Sequence, residues 1–289
     1  MLRKKLKKDK THIHWYPGHI AKAERKLKEQ LSLVDAVIEV LDARIPLSSR
    51  YNNISGLLNS KPRFLLINKS DLVDKNELDK FVKYLHSELG VTVIPTSAKS
   101  NKDLNIIIKE AIRLSEPRIQ ALMAKGLLRR PARIMVVGLP NVGKSSIINK
   151  LTRSSKTKIG AKAGVTRQQQ WVRINPQLEL LDTPGIIPMK QEDQEIAKKL
   201  AFVNSVSENA YSNEIVAQEL LNILDDNQQK IFREFYKLPE DLELNIDNIS
   251  IERNWLLTGS STDRERTSVY ILRDFREGKI GKFILDKLD

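Results

Sequence analysis

Eight residues, Gly138-Leu-Pro-Asn-Val-Gly-Lys-Ser145, constrain this chain more than any other segment. They follow an apolar run, ARIMVVG (132–138), that reads as a buried strand, and they open a stretch, 144–153, that reads as a helix. In that context the G-x-x-x-x-G-K-[ST] spacing makes a loop whose backbone N–H groups converge on one point. Gly138 and Gly143 let the loop curl, and the helix N-terminus adds partial positive charge. The group that fits is an oligophosphate wrapped by Asn141, Val142, Gly143, Lys144, Ser145 and Ser146. Lys144 reaches the β- and γ-phosphates and the Ser145 hydroxyl ligates Mg²⁺. The competing reading, a chance glycine-rich turn, has to account for every matched position in the right strand–helix setting.

The surrounding pattern predicts an α/β fold, a doubly wound and mostly parallel sheet, followed by an all-helical domain. Strands are expected at 35–43, 62–71 and 91–99, with helices from Ile20 to about Leu33, at 75–89 and at 103–114. Residues 115–132 read as a connector with a short helix, and strands return at about 170–174 and 178–182. After Pro188 the candidates are all helical: 192–207, 213–224, 227–237, 263–276 and 279–287. A length of 289 residues suits two domains. The expected division is a basic arm at 1–14, a nucleotide-binding domain at 15–194 and a helical domain at 195–289.

Further motifs end the predicted strands. In LELLDTPG (178–185), Asp182 stands where it can hold Mg²⁺ through water, and the Gly185 N–H can meet the γ-phosphate. In NKSD (68–71), the Asp71 carboxylate can accept from guanine N1–H and N2–H₂, a donor pair that adenine lacks. Asn68 and Lys69 would brace that loop. Ser97, Ala98 and Lys99 end the next strand, where the Ala98 N–H can donate to guanine O6. Each motif alone matches an ordinary polar turn, but two guanine-reading elements on successive strands point to GTP and GDP as ligands. Thr166 lies between the phosphate loop and D-T-P-G and is preferred over Thr157 as a second Mg²⁺ ligand closing over the γ-phosphate. The switch regions are thus 155–169 and 182–194.

Charge suggests a partner. The net charge is +13; residues 190–289 carry 14 Lys/Arg against 20 Asp/Glu, so the excess belongs to residues 1–189. Basic clusters occur in the arm (Arg3, Lys4, Lys5, Lys7, Lys8, Lys10), in the connector, and among Arg264, Arg266, Arg273, Arg276, Lys279 and Lys282. For most single residues a solvated face is the simpler account, but together they favour phosphate contact. The aromatic residues of the helical part read as core, so shape and backbone recognition of folded RNA is expected. The absence of cysteine excludes disulfides and thiolate metal sites and accords with a cytoplasmic location. No membrane partner is expected: apolar runs are too short to span a bilayer, and no signal peptide or lipidation signal is seen.

In order along the chain, the guanine motifs precede the phosphate loop, the reverse of the usual arrangement. That order, with Asp42-Ala-Arg44 and an opening WYPGH (15–19), resembles the circularly permuted, translation-factor-related GTPases, and more narrowly the bacterial ribosome-assembly GTPases of the RbgA/YlqF type. The resemblance spans most of the chain and implies an RNA-binding, ANTAR-like helical domain at 195–289. It implies a monomer that binds the maturing large (50S) ribosomal subunit through rRNA and ribosomal proteins, hydrolyses GTP there and leaves. A regulatory GTPase acting on proteins or at a membrane surface is the alternative. Ile186 and Ile187 follow D-T-P-G, where many GTPases have a glutamine that orients the attacking water. The resemblance makes His19 the candidate for that task; the other reading is a packing anchor with His19 capping the next helix. Asn141 is likewise implied as a K⁺ ligand, against a role in shaping the loop alone.

Overall fold

The structure is a computed structural model and describes residues 25–51, 54–58, 61–153, 171–181, 185–186 and 193–288. Residues 25–31 form helix α1. The order then runs β1 (Ala36–Asp42), α2 (Ile54–Leu58), β2 (Arg63–Asn68), α3 (Lys75–Leu89), β3 (Val93–Pro95), α4 (Leu104–Met123), β4 (Ala132–Gly138) and α5 (Lys144–Arg153). Next come β5 (Trp171–Asn175), β6 (Leu178–Leu181), β7 (Gly185–Ile186), α6 (Gln194–Phe202), α7 (Asn213–Asn222), α8 (Asp226–Tyr236), α9 (Ile246–Glu252) and α10 (Arg264–Arg276). The seven strands make one sheet in the order β3-β2-β1-β4-β6-β5, with β7 also paired to β4. All pairings are parallel except the β5–β6 hairpin.

Two central strands explain why the sheet is buried on both faces. Every residue of β1 is buried, as is β4 from Ile134 to Gly138, and both are near-continuous apolar runs. Parallel sheets require this, because crossover helices cover both faces.

The chain divides into two compact units. One holds the sheet, with described residues 25–186 together with 286–288; the other is helical and runs from 193 to 285. Residues 286–288 therefore leave the expected 195–289 domain and join the sheet unit. There the Asp286 carboxylate accepts from the N–H groups of Leu47 (2.7 Å) and Ser48 (2.8 Å) and from the Ser48 hydroxyl (2.5 Å). In the helical unit, the Arg276 guanidinium donates to the carbonyls of Ala201 and Phe202 (2.9 and 3.0 Å), fastening α10 to the end of α6.

Three expectations change. The helix placed at 103–114 runs on to Met123, through the first part of the connector and through Pro117. A proline inside a helix removes one backbone bond, but Leu104, Ile107, Ala111, Ser115 and Ile119 lie buried along one face of α4. Packing of that face outweighs the lost bond, and only residues 124–131 are left to join α4 to β4. The helix expected at 279–287 does not form; Ile280, Phe283, Ile284 and Leu285 are buried in an irregular segment. Gly278, at φ +73, ends α10, and a Cβ on Gly281 would come within 2.5 Å of Phe283. That space lets Phe283 stack on Phe232 (centroids 5.8 Å apart). Finally, α2 and α9 form where no helix was expected, the latter with the Asn245 side chain accepting from the Asn248 N–H at its start.

Candidate nucleotide site

Strand order locates the site before any side chain does. From β1 the chain proceeds to β2 and β3 on one side; from β4 it proceeds to β5, β6 and β7 on the other. Connections diverge between β1 and β4, and ligands of open α/β sheets bind at the carboxyl ends of strands flanking such a point. Those ends are Asp42 and Gly138.

Glycine is required at both ends of the phosphate loop. Gly138 lies at φ +155, and a Cβ there would fall 2.6 Å from the Val40 carbonyl of the neighbouring strand. Gly143 lies at φ +101, where a Cβ would fall 2.1 Å from Asn68 Nδ2. The second clash shows how near the N-K-S-D loop comes. Asn68 Nδ2 donates to the Val142 carbonyl (2.9 Å), and Asn68 Oδ1 accepts from the Ala98 N–H (3.1 Å). One amide side chain joins three motifs that lie far apart in sequence.

Lys69 adds a second tie. Its backbone is left-handed, at φ +66, a conformation that costs a non-glycine residue free energy. From there its ammonium donates to Asp42 Oδ2 (2.7 Å) and to the Asn141 carbonyl (2.9 Å). Asp42 is fully buried and also accepts from Arg44 Nε (2.9 Å) and Nη2 (2.7 Å). Burial alone would raise Asp42, but Arg44 and Lys69 outweigh it and hold the carboxyl well below the usual carboxylate range. Among the described residues, Asp42 and Arg44 are the hub of this corner. Sequence singled out D-A-R only as part of a resemblance; its signal was an acid at the carboxyl end of an otherwise apolar strand.

Asp71 and Lys99 lie 3.0 Å apart. Partial burial pushes Asp71 up, yet the Ser97 hydroxyl and the Lys99 ammonium bring it below its ordinary value. It is thus ionised at neutral pH and can accept two donors from a guanine edge. Beside it opens a cleft of about 470 Å³ lined by Ala98, Lys99, Asn101, Ser146, Asn149, Lys150 and Arg153. Lys150, which sequence did not single out, is buried there and donates to Thr96 Oγ1 (3.0 Å) and the Ser97 carbonyl (3.1 Å), with Asp103 at 3.3 Å.

At the phosphate end, Lys144 is buried and its ammonium donates to the Leu139 carbonyl (2.5 Å). Burial pushes its pKa down to about 8. Ser145 and Ser146 are exposed in the first turn of α5, and Val142 is buried beneath the loop. β7 pairs with the end of β4, Gly185 opposite Val137 and Ile186 opposite Gly138, so the Gly185 backbone lies beside the phosphate loop. His19, Thr166 and Asp182 lie outside the described residues. The structure therefore brings together Asn68, Lys69, Asp71, Ser97, Ala98 and Lys99 with Asn141–Ser146 and Gly185.

Comparison with known proteins agrees with this geometry. A family model described as "50S ribosome-binding GTPase" matches residues 133–247, starting at β4 and leaving the guanine motifs ahead of it. A ribosome biogenesis GTPase A from Bacillus cereus is 37% identical over 277 residues, which cover 95% of this chain and 93% of that one. Solved GDP-bound and GNP-bound YlqF structures, the latter from T. maritima, superpose with TM-scores of 0.64 and 0.60. They are 26% and 25% identical, and the matches cover 91% and 92% of this chain and 99% and 98% of those. Identity of this level along nearly the whole of both sequences means that this chain belongs to the ribosome biogenesis GTPase A family and hydrolyses GTP to GDP and phosphate.

Proposed function

We propose that this GTPase acts on the maturing large ribosomal subunit, docking on rRNA and ribosomal proteins as a monomer in the cytoplasm. GTP hydrolysis then completes a late assembly step and releases it. The observation that carries the reading is charge: a net +13 whose excess lies in residues 1–189, the part that also holds the nucleotide site. A polyanionic partner is drawn to that part of the chain. The helical unit, described from 193 to 285, serves as an RNA-binding module.

Within the site, Asn141 to Ser146 cradle the phosphates, Lys144 neutralises charge that builds on them, and Asp71 with Ser97, Ala98 and Lys99 selects guanine. GTPases of this kind use Mg²⁺, and the exposed Ser145 hydroxyl beside the phosphate loop suits a hard cation. Thr166 and Asp182 complete its shell from the chain's side, and Gly185 carries the N–H that senses the γ-phosphate. Ile186, paired with the phosphate loop, cannot orient water, so His19 takes that task, and K⁺ held by Asn141 supplies further positive charge.

The test measures GTP turnover with and without purified large subunits, in KCl and NaCl of equal ionic strength, for the wild type and His19→Ala. Turnover should rise with subunits and K⁺, and His19→Ala should keep GTP binding while losing most of the stimulation. No effect of subunits sinks the ribosomal reading; equal rates in the two salts remove K⁺; an unaffected His19→Ala removes the histidine.

A further inference from the structure

In the helical unit, aromatic residues that sequence assigned to the core form part of the surface. Trp255 and Tyr270 are only half-buried and stack with centroids 4.6 Å apart and planes 24° from parallel. Three exposed arginines converge on the pair: Arg253 lies 5.6 Å from the Trp255 ring, Arg273 lies 4.2 Å from the Tyr270 ring, and Arg266 lies about equally far from both, at 6.0 and 5.8 Å. Spacing on α10 produces this, since 266, 270 and 273 fall on one helical face. The platform is rigid. The Trp255 backbone exchanges bonds with Ser250 and Asp263, and its ring meets the buried Tyr236 edge-on at 6.5 Å.

Charge gives the platform its polarity. Residues 190–289 are net acidic, and the neighbouring Arg264 is neutralised by Asp247 and Glu214. Among the described residues, Arg253 and Arg266 form no ion pair, while Arg273 lies 3.8 Å from Asp274 and also feels the Glu277 carboxylate. Cation–π contact orients exposed guanidiniums but leaves their charge uncompensated. A polyanion repelled by the rest of the unit is thus drawn here. Stacked rings and arginine planes beside free cationic groups are what unpaired nucleotides bind, bases on the flat faces and phosphates on the guanidiniums. A duplex offers no free base faces.

We propose that Trp255, Tyr270, Arg253, Arg266 and Arg273 form a binding surface for an unpaired RNA segment. This rests on the reading above that the partner contains RNA, and adds that recognition here is by stacking on single strands, not only by the shape of folded RNA.

The test is fluorescence anisotropy of the full chain with a labelled eight-nucleotide oligouridine and with a duplex RNA of equal length. Wild type, Tyr270→Leu and the Arg253→Gln/Arg266→Gln double variant are compared. The wild type should prefer the single strand. Tyr270→Leu should weaken it about five- to a hundred-fold, the range for one lost base stack. The arginine pair should flatten the salt dependence by roughly 0.7 in log–log slope per lost phosphate contact. Unchanged melting temperature and unchanged subunit-free GTP turnover will show that the variants fold. Equal affinity of all three proteins for the oligomer overturns the proposal, as does equal binding of single strand and duplex, or displacement of the oligomer by polyglutamate at matched charge, which would indicate an acidic protein partner. Subunit-stimulated turnover is read separately. Stimulation without oligomer binding sinks this surface alone, and oligomer binding without stimulation sinks the ribosomal reading alone.

Discussion

Lys144 carries its charge into a buried position, and that has two consequences of opposite sign. Its folded-state pKa is about 8 against 10.5 for the free side chain. Between those values the unfolded chain binds the extra proton, so the nucleotide-free protein should gain stability as pH rises. Phosphates need the ammonium, so over the same window nucleotide affinity should fall, approaching tenfold per pH unit. Paired denaturation and GTP titrations from pH 7 to 9.5 check this; parallel trends would refute it. Asp42 behaves in the opposite way. Its depressed pKa contributes stability that is present above about pH 4 and lost as pH falls below that. Asp42→Ala leaves Arg44 and Lys69 facing one another without their anion and should cost about 3–5 kcal/mol in chemical denaturation. The loops that carry Lys144 and Asp71 were legible in sequence because each follows an apolar strand. Asp42 was less so, because a strand-end aspartate gains its meaning from Lys69, which only strand pairing brings to it.

Among the elements, α4 and α5 show what local patterns miss. α4 tolerates Pro117 because packing of its buried face outweighs the lost backbone bond. Pro117→Ala should restore the backbone bond and raise stability by about 2–3 kcal/mol, the helix penalty less the entropy regained by the unfolded chain. A destabilised variant would mean that α4 depends on the proline. α5 begins at the phosphate loop and ends under the guanine cleft, where Lys150 holds Ser97 and Thr96. Lys150→Met should therefore raise the KM for GTP about tenfold with little change in kcat, and a fall in kcat alone would contradict a positioning role. Sequence showed the strands, α3 and α5 through their periodicity. It overextended the helical reading to 279–287 because Ile280, Phe283 and Ile284 have helical spacing, while the close approach of Ile231 to Gly281 and the stacking of Phe283 on Phe232 come from far along the sequence.

Considered as a whole, the sheet unit is made of two chain segments, β1 to β3 and β4 to β7, that meet along the β1–β4 pairing. The fold class was readable because each segment keeps the strand–helix alternation of an ordinary nucleotide-binding sheet, whichever comes first. What could not be read was the return of residues 286–288 to the sheet unit, since Asp286 finds the Leu47 and Ser48 amides across 239 and 238 positions of sequence. Asp286→Ala should orphan those buried amides, lowering stability by about 1–3 kcal/mol. Hydrogen exchange at Leu47 and Ser48 should quicken with it, and unchanged protection there would show that the contact is dispensable.

The β1–β4 pairing also sets a timetable. Ala36 lies beside Ile134 in the finished sheet. A ribosome adding roughly 5–20 residues per second needs about 5–20 s to make the chain between them. Through that interval β1 is an open sheet edge, apolar along most of its length and available to other nascent chains. The carboxyl of Glu39 at its middle, beside Arg63 of β2, is the kind of inward-pointing polar group that keeps such an edge from pairing wrongly. An enzyme whose guanine half is translated first has to shelter half a sheet until its phosphate half arrives.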